Sequence, residues 1–589
     1  METIRIWRSP DTRFGVLTRK LDHLEDETMT ANAVYTDREL AGIAKSGFNA
    51  IWVHGLLRNI VKSEVFPEFG KYSARHQKNM NELIVRAAKY GIKVFIYMQP
   101  PRAIWEGDAF WKKHAGIGGC IEESPAHDES IIKLRSLCTS TDKVRKYLKN
   151  SSAELAKKLP GLGGVILITA SEYPSHCWAR RGRICDAMGH YHDFKATDCP
   201  RCAKRKPGEI VNEIIQNVRD GIKSVDKAVE VIAWNWSWNA YEQDPSPEII
   251  KNLPEDVIYM ADFERGSKKK ILGKDHPIDE YSLSFSGPSE RFSKSTTCAK
   301  KAGLGIMTKL QFGTTHELAT VPNIPLIANV FDKASYVRDN KISGFMGCWN
   351  FGNMLTANTA AFNYFLTGKE HRTKKLALEA FASEYIPGCD AKKAASAWMT
   401  FSKAMDNYPF SIPFLYASPI NYTLAFGIKP EQSDDVPCGR SWLMDKTRGD
   451  SLEASLGPYT LDEVIKGLEK LSKEWKKGLE IFTASVESSR SKHAKEELNT
   501  ATVCYHVFRS AWNTYRAWKL TRAWEKGKMK EFVKIAADET ENLASVLPVL
   551  KKDKRQGFHG EAFDYMFSTG LVAEKLKKLQ NIQNMRNLS

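Results

Sequence analysis

The stretch "DRELAGIAKSGFNAIWVHG", residues 37–55, decides the fold. Leu40, Ile43 and Ala44 fall at helical spacing, Gly47 stops the helix, and Asn49 to His54 read as a strand with no polar face. The same unit returns as "MNELIVRAAKYGIKVFIYMQPPR" (80–102), "SAELAKKLPGLGGVILITASE" (152–172) and "EIIQNVRDGIKSVDKAVEVIAWNWSW" (213–238). It returns again as "EIIKNLPEDVIYMADFE" (248–264), "CAKKAGLGIMTKLQFGTTHE" (298–317) and "VFDKASYVRDNKISGFMGCWNFGN" (330–353). Strands that are apolar without alternation are buried on both faces, and their alternation with helices makes them parallel.

An opening strand near 13–17 completes a set of eight, with the others near 49–54, 92–98, 164–169, 229–236, 256–262, 305–312 and 342–349. Eight parallel strands over about 350 residues predict an α/β fold, the (β/α)8 TIM barrel with inserted loops. An open doubly wound sheet would show a Gly-rich phosphate loop after an early strand, and no strand exit carries G-x-G-x-x-G.

Beyond about residue 371 the strand signal stops. "KKLALEAFASEYI" (374–386), "LDEVIKGLEKLSKEWKKGLEIF" (461–482), "HAKEELNTATVCYHVFRSAWNTYRAWKLTRAWEKG" (493–527) and "FDYMFSTGLVAEKLKKLQ" (563–580) read as amphipathic helices. The predicted organisation is a catalytic barrel over 1–370, carrying a Cys/His-rich loop at 173–206, and an all-α domain over 371–589. The loop-rich segment from Tyr408 to Tyr422 is expected as one wall of the pocket.

Composition narrows the function. The chain has 589 residues and a formal net charge of +16, but its lysines are scattered over polar helix faces and no nucleic-acid motif is visible. An anionic substrate would suit the same charge. No apolar run approaches the ~20 residues that span a bilayer. Eleven cysteines, an odd number in a long chain, argue for a reducing compartment, so a cytoplasmic location is expected unless a leader has been removed. A homo-oligomer is compatible with all of this.

Chemistry in such a barrel collects at the carboxyl ends of the strands. The expected exits bring His54 and Arg58 after the second strand, Arg102 after the third and Glu172 after the fourth. They bring Asn235, Trp236 and Trp238 after the fifth, Asp262 and Glu264 after the sixth, His316 and Glu317 after the seventh, and Trp349 after the eighth. Indoles stack on pyranose faces, amides bind hydroxyls, and paired carboxylates perform glycoside hydrolysis. Glu172 is expected as general acid/base and Glu317 as nucleophile, with Asp262 the rival for that second role. Trp236, Trp238 and Trp349 would form the stacking platform. His54, Asn235, Asp262 and His316 would bind hydroxyls, and Arg58 and Arg102 would bind a carboxylate or sulfate or serve as ion-pair partners at the rim. The plainer readings are a surface charge for Glu172 and a first-turn helix carboxylate for Glu317.

Glutamates after strands four and seven resemble the acid/base and nucleophile of the large superfamily of retaining barrel glycosidases, in which Asn commonly precedes the acid/base; here that position is Ser171. Family-20 hexosaminidases carry an Asp-Glu pair, and Ser171-Glu172 lacks the Asp that assists the acetamido group. More broadly, "GFNAIWVHGLLR" (47–58), "FPEFG" (66–70), "EYSLSFSGPSERF" (280–292), "HELATVPNIPL" (316–326) and "GFMGCWNFGN" (344–353) resemble uncharacterised bacterial family-20-like barrel proteins with a helical C-terminal region. The resemblance implies a glycoside hydrolase acting on an oligosaccharide or glycoside. A retaining, exo-acting enzyme on a β-linked glycan is the first expectation. A non-catalytic glycan-binding barrel and a substrate-assisted hexosaminidase are the alternatives.

The loop "SHCWARRGRICDAMGHYHDFKATDCPRCAKRK" (175–206) holds Cys199-Pro-Arg-Cys202, a C-x-x-C knuckle of the kind that chelates zinc. Cys177, Cys199 and Cys202 are the expected ligands of a structural zinc, with Cys185 or a histidine as the fourth; catalysis itself needs no cofactor.

Overall fold

The structure is a computed structural model of the chain and describes residues 3–9, 27–125, 131–170, 173–184, 192–349, 354–368, 373–430, 451–522, 528–562 and 564–584. Eight parallel strands close into a barrel: β1 (Ile4–Trp7), β2 (Ala50–His54), β3 (Lys93–Met98), β4 (Gly164–Ile168), β5 (Glu230–Trp234), β6 (Ile258–Asp262), β7 (Ile306–Lys309) and β8 (Gly344–Met346). Closure is made where β1 pairs with β8, Ile4 opposite Gly344, and with β2, Ile6 opposite Ala50.

Seven of the eight expected strands stand within a few residues of their predicted positions. The first is corrected: it is Ile4–Trp7, and residues 13–17 lie outside the described residues. Ile4 and Ile6 point into the barrel, whereas Trp7 stacks outward on Phe48 at 4.8 Å and Phe312 at 5.5 Å. Arg5 interrupts the apolar run, which hides the strand from a search for continuous hydrophobicity.

Local chemistry explains the repeated unit. Thr36 caps the helix Asp37–Lys45 by accepting from the Glu39 N–H, and the chain then reverses at Gly47, whose φ is +87°. A Cβ there would enter the left-handed region and meet the Asn363 side chain at 2.3 Å, so only glycine joins this helix to β2. Inward side chains such as Trp52, Phe95, Ile166, Ile232, Met260 and Met307 fill the barrel in layers, making it a packed core and not a pore.

Two insertions alter the outline. A three-stranded antiparallel sheet follows β3 (Ile104–Trp105, Gly118–Pro125, Ile131–Leu137), and a hairpin follows β6 (Ser267–Ile271 with Lys274–Ile278).

A long helical region follows the barrel, including Lys374–Tyr385, Ala391–Ala404, Leu461–Val486, Lys492–Arg522, Met529–Lys552 and Thr569–Asn584. Its core is aromatic: Trp475 is fully buried, stacked on Phe401 at 4.4 Å and edge-on to Phe508 at 5.1 Å. A buried Lys575–Glu539 pair at 2.5 Å, joined by Ser510 and Asn513, donates from Lys575 to the Thr423 carbonyl and so anchors the 419–423 turn. Among the described residues no helix is long and apolar enough to cross a membrane.

Candidate active site

The mouth at the carboxyl ends of the strands is built around β5, β6 and β7. Strand alternation aims Trp234, Asp262 and Lys309 inward beside the core residues Ile232, Met260 and Met307. The Asp262 carboxylate accepts from the Trp234 indole N–H at 2.8 Å and from the Arg265 guanidinium at 3.2 Å. Burial pushes its carboxyl up, and Arg265, the indole and Lys309 pull the other way. Arg265 is held in turn by the Asp279 carbonyl at 3.0 Å and lies over the Trp236 ring at 5.3 Å.

Lys309 is fully buried, 4.0 Å from the Tyr281 ring centroid, and donates to Gln311 at 2.7 Å. Burial pushes its ammonium down to about 8 against the pull of Glu264 and Asp262. Trp349 closes the centre, stacked on Trp52 at 5.2 Å and edge-on to Tyr97 and Trp234 at 5.5 Å each. Trp236 and Trp349 are only half-buried, so they are the indoles with a face left to offer.

Glu317 has a different environment. It is fully buried, and its carboxylate accepts from Ser282 Oγ at 2.9 Å, Leu283 N at 2.7 Å, Ser284 N at 3.2 Å and Thr315 Oγ1 at 2.9 Å, with Ser284 Oγ donating as well. Both oxygens are committed to holding the 282–284 segment against the β7 exit. Glu264 is likewise internal: it pairs with buried Lys333 at 2.5 Å and accepts from the Gln311 N–H at 2.8 Å. Lys333 also donates to the Ser282 and Gln311 carbonyls, tying the β6 and β7 exits together.

The remaining expected residues divide. His54 ends β2 inside the barrel, 5.5 Å from the Tyr97 ring. His316 packs on Tyr416 at 4.9 Å, and burial pushes its imidazole down to about 3, so it is neutral at physiological pH. Asn235 is turned outward, donating to the Tyr259 hydroxyl at 2.8 Å. Trp238 is 1% exposed in the outer core and donates to Thr169 Oγ1 at 3.0 Å, which removes it from the stacking platform. The reason is local: Ser237 takes φ +59°, so the alternation of the strand does not extend past Trp236. Arg58 and Arg102 stand together at the β2 and β3 exits, with the Arg102 guanidinium 3.5 Å over the Tyr173 ring. Glu172 lies outside the described residues.

Sequence reading missed Lys309, Arg265, Glu280 and Tyr281. A lysine inside the buried run "GIMTKLQFG" was the available signal for the first. The helical region adds Tyr416, which donates to Glu280 at 2.5 Å, and Asn421, which accepts from the Ala319 N–H at 2.8 Å. The 408–422 segment therefore touches the β6 and β7 exits directly. A second groove, lined by Arg219, Lys223 and Asp256, lies at the opposite, amino-terminal face of the barrel. Within it Arg219 pairs with Asp256 at 2.8 Å.

Beside the β4 exit, Cys138, Cys177, Cys199 and Cys202 bring four buried thiols within 4.8 Å of one another, a set that can hold a metal ion. The fourth member is Cys138, at the end of the inserted sheet, where Cys185 or a histidine was expected; Cys185 lies outside the described residues. Sγ separations of 3.5 and 3.6 Å match the edge of a tetrahedron with ~2.3 Å metal–sulfur bonds, about 3.8 Å. The Cys138 thiol is pulled down, first by Cys177 and also by Cys202 and the Arg201 guanidinium, whose Nε lies 3.2 Å away. A Cβ on Gly119 would lie 2.2 Å from Cys177 Sγ, so the cluster needs glycine there.

No family model and no curated protein matches the chain. Among solved structures, a GH138 enzyme targeting pectin rhamnogalacturonan II aligns with a TM-score of 0.54 at 12% identity, covering 99% of this chain and 68% of its own. A Bacteroidetes-affiliated GH5 cellulase linked with a polysaccharide utilization locus gives 0.38 at 14% identity, over 64% and 95% of the two chains. The protein CpGH84B gives 0.35 at 12% identity, over 98% and 76%. The likeness to the GH138 enzyme is distant, and it is a likeness of fold.

Proposed function

We propose that the protein is a glycoside hydrolase, with Glu172 as general acid/base and Asp262 as the second carboxylate. The observation that carries the reading is Asp262: a buried carboxylate at a barrel-strand exit, oriented by an indole N–H and a guanidinium that themselves touch the half-buried indoles Trp349 and Trp236. Glu317, whose oxygens are fully engaged, is reassigned to supporting the loop. Glu172 keeps its role from its place four residues beyond β4. Strands four and six are two positions apart in the barrel, about 10 Å, which lets long side chains converge on one sugar ring.

In this mechanism Glu172 protonates the glycosidic oxygen as its bond to the anomeric carbon breaks, and Asp262 forms the ester to that carbon. Water, deprotonated by Glu172, then cleaves the ester with net retention. Arg265 and Trp234 favour the ionised form of Asp262 against its burial and aim it. The β6 hairpin and Tyr416 raise a wall over this side of the mouth, which suits exo action on a β-linked glycan.

The direct test is a panel of aryl glycosides and native glycans, with the product anomer followed by NMR. Turnover with retention is expected. Sugar binding without turnover of any member would make this a glycan-binding barrel, and an inverted product would make Asp262 the base for a water.

The cysteine cluster fits a closed structural zinc bound by Cys138, Cys177, Cys199 and Cys202, since four thiolates leave no open position for catalysis. It would clamp the β4 exit to the inserted sheet. Elemental analysis should find about one zinc per chain. Cys138→Ser should lose it and melt lower, while Cys185→Ser should retain it. Zinc retention by the Cys138 variant would sink this ligand set.

A further inference from the structure

Two arginines at the rim carry charge that no ion pair balances among the described residues. Arg58 and Arg102 are 6% and 7% exposed. Arg58 Nη1 donates to the backbone carbonyls of Arg102 at 3.1 Å and Ala103 at 2.9 Å, and Arg102 Nη1 donates to Gln99. Those acceptors are neutral, and among the described residues neither guanidinium makes an ion pair. The Nε of each is buried without a hydrogen-bond partner. Burial pushes Arg58 down; Tyr173 pulls the other way, repulsion from Arg102 adds to the burial, and Tyr147 and Asp108 oppose it more weakly.

An uncompensated buried charge is costly, and two of like sign side by side are more so. Such an arrangement persists where a ligand completes it. The backbone is also set for a purpose: Arg102 takes φ +61°, a conformation that non-glycine residues adopt at a cost of order 1 kcal/mol. Its guanidinium lies 3.5 Å over the Tyr173 ring, with Nη1 engaged by Gln99 and Nε without a hydrogen-bond partner. Tyr173 directly follows Glu172 in the sequence. Planar N–H forks match the oxygens of a carboxylate or a sulfate.

We propose that Arg58 and Arg102 form a subsite for an anionic substituent of the glycan, a carboxylate or a sulfate ester on the sugar. This rests on the glycosidase reading for the identity of the ligand, but its test reads binding and is independent of turnover.

The probes are glucose, glucuronate and glucose 6-sulfate, titrated calorimetrically into the full chain at constant ionic strength. At least one charged sugar should bind ten-fold or more tighter than glucose. Preference for glucuronate identifies a carboxylate site, and preference for glucose 6-sulfate a sulfate site. Arg102→Gln should bring the charged sugars to within about two-fold of glucose while its melting temperature holds or rises, because an unbalanced buried charge has gone. Arg58→Lys, which keeps the charge but not the fork, should lose part of the preference. Equal affinity for all three sugars in the native protein overturns the subsite, as does a preference that survives Arg102→Gln. Hydrolysis of neutral glycosides with no acidic preference would remove the subsite alone. Tight binding of charged sugars without any hydrolysis would remove the glycosidase reading alone.

Discussion

Asp262→Asn is expected to lower kcat on a responsive aryl glycoside by about 10³-fold, a loss of about 4 kcal/mol of transition-state stabilisation. The substitution preserves volume, and the remaining carbonyl oxygen can still accept from the Trp234 indole, so the pocket keeps its shape. Ligand affinity should therefore stay within a few-fold while turnover collapses. Asp262→Gly gives a second handle. Azide entering the vacated space should restore turnover and yield a glycosyl azide of inverted configuration. Native-like turnover by the Asn variant would remove Asp262 from the chemistry.

Glu317→Ala is expected to cost about 3–5 kcal/mol in stability, because it strips a buried acceptor from five donors at once. Glu317→Gln separates support from chemistry. Its amide must set an N–H₂ either against the Leu283 N–H and Thr315 hydroxyl or against the Ser282 and Ser284 hydroxyls, with the Ser284 N–H facing it in both cases, so a loss of about 2 kcal/mol is expected even with the size preserved. Denaturant unfolding measures both. A Gln variant that melts like the native chain but has lost turnover would return Glu317 to the nucleophile position.

The contrast between these two acids shows what a sequence carries. Glu172, Asp262 and Glu317 look alike on paper: each is a carboxylate just beyond a buried strand. What separates Asp262 from Glu317 is the 267–284 excursion, which brings Ser282, Leu283 and Ser284 to Glu317 and leaves Asp262 with two donors. Such long-range encounters leave no trace in local periodicity. The barrel was legible because seven helix–strand units repeat one pattern. The first strand escaped because it is four residues long with a cation in the middle. The inserted sheet escaped although "IIKLRSL" (131–137) alternates, with Ile132, Leu134 and Ser136 buried, a pattern overlooked beside the continuous apolar runs. The knuckle Cys199–Cys202 was visible as a motif, but its partner Cys138 comes from that unseen sheet. Trp238 was expected on the stacking platform, but the left-handed turn at Ser237 carries it into the outer core.

The helical region grips the barrel at several points along the seventh-strand loop and beyond. Tyr408 donates to the Glu317 carbonyl at 2.9 Å, Asn421 accepts from Ala319, Gly557 donates to the Thr320 carbonyl at 2.7 Å, and Glu497 accepts from the Ala357 N–H at 3.3 Å. These grips come from stretches scattered between positions 408 and 557, so no short tail can stand in for the whole. Anyone grafting this barrel onto another scaffold would have to carry along nearly the entire C-terminal third. Natural shuffling would meet the same obstacle, and the two halves should travel through descent as a single inherited cassette.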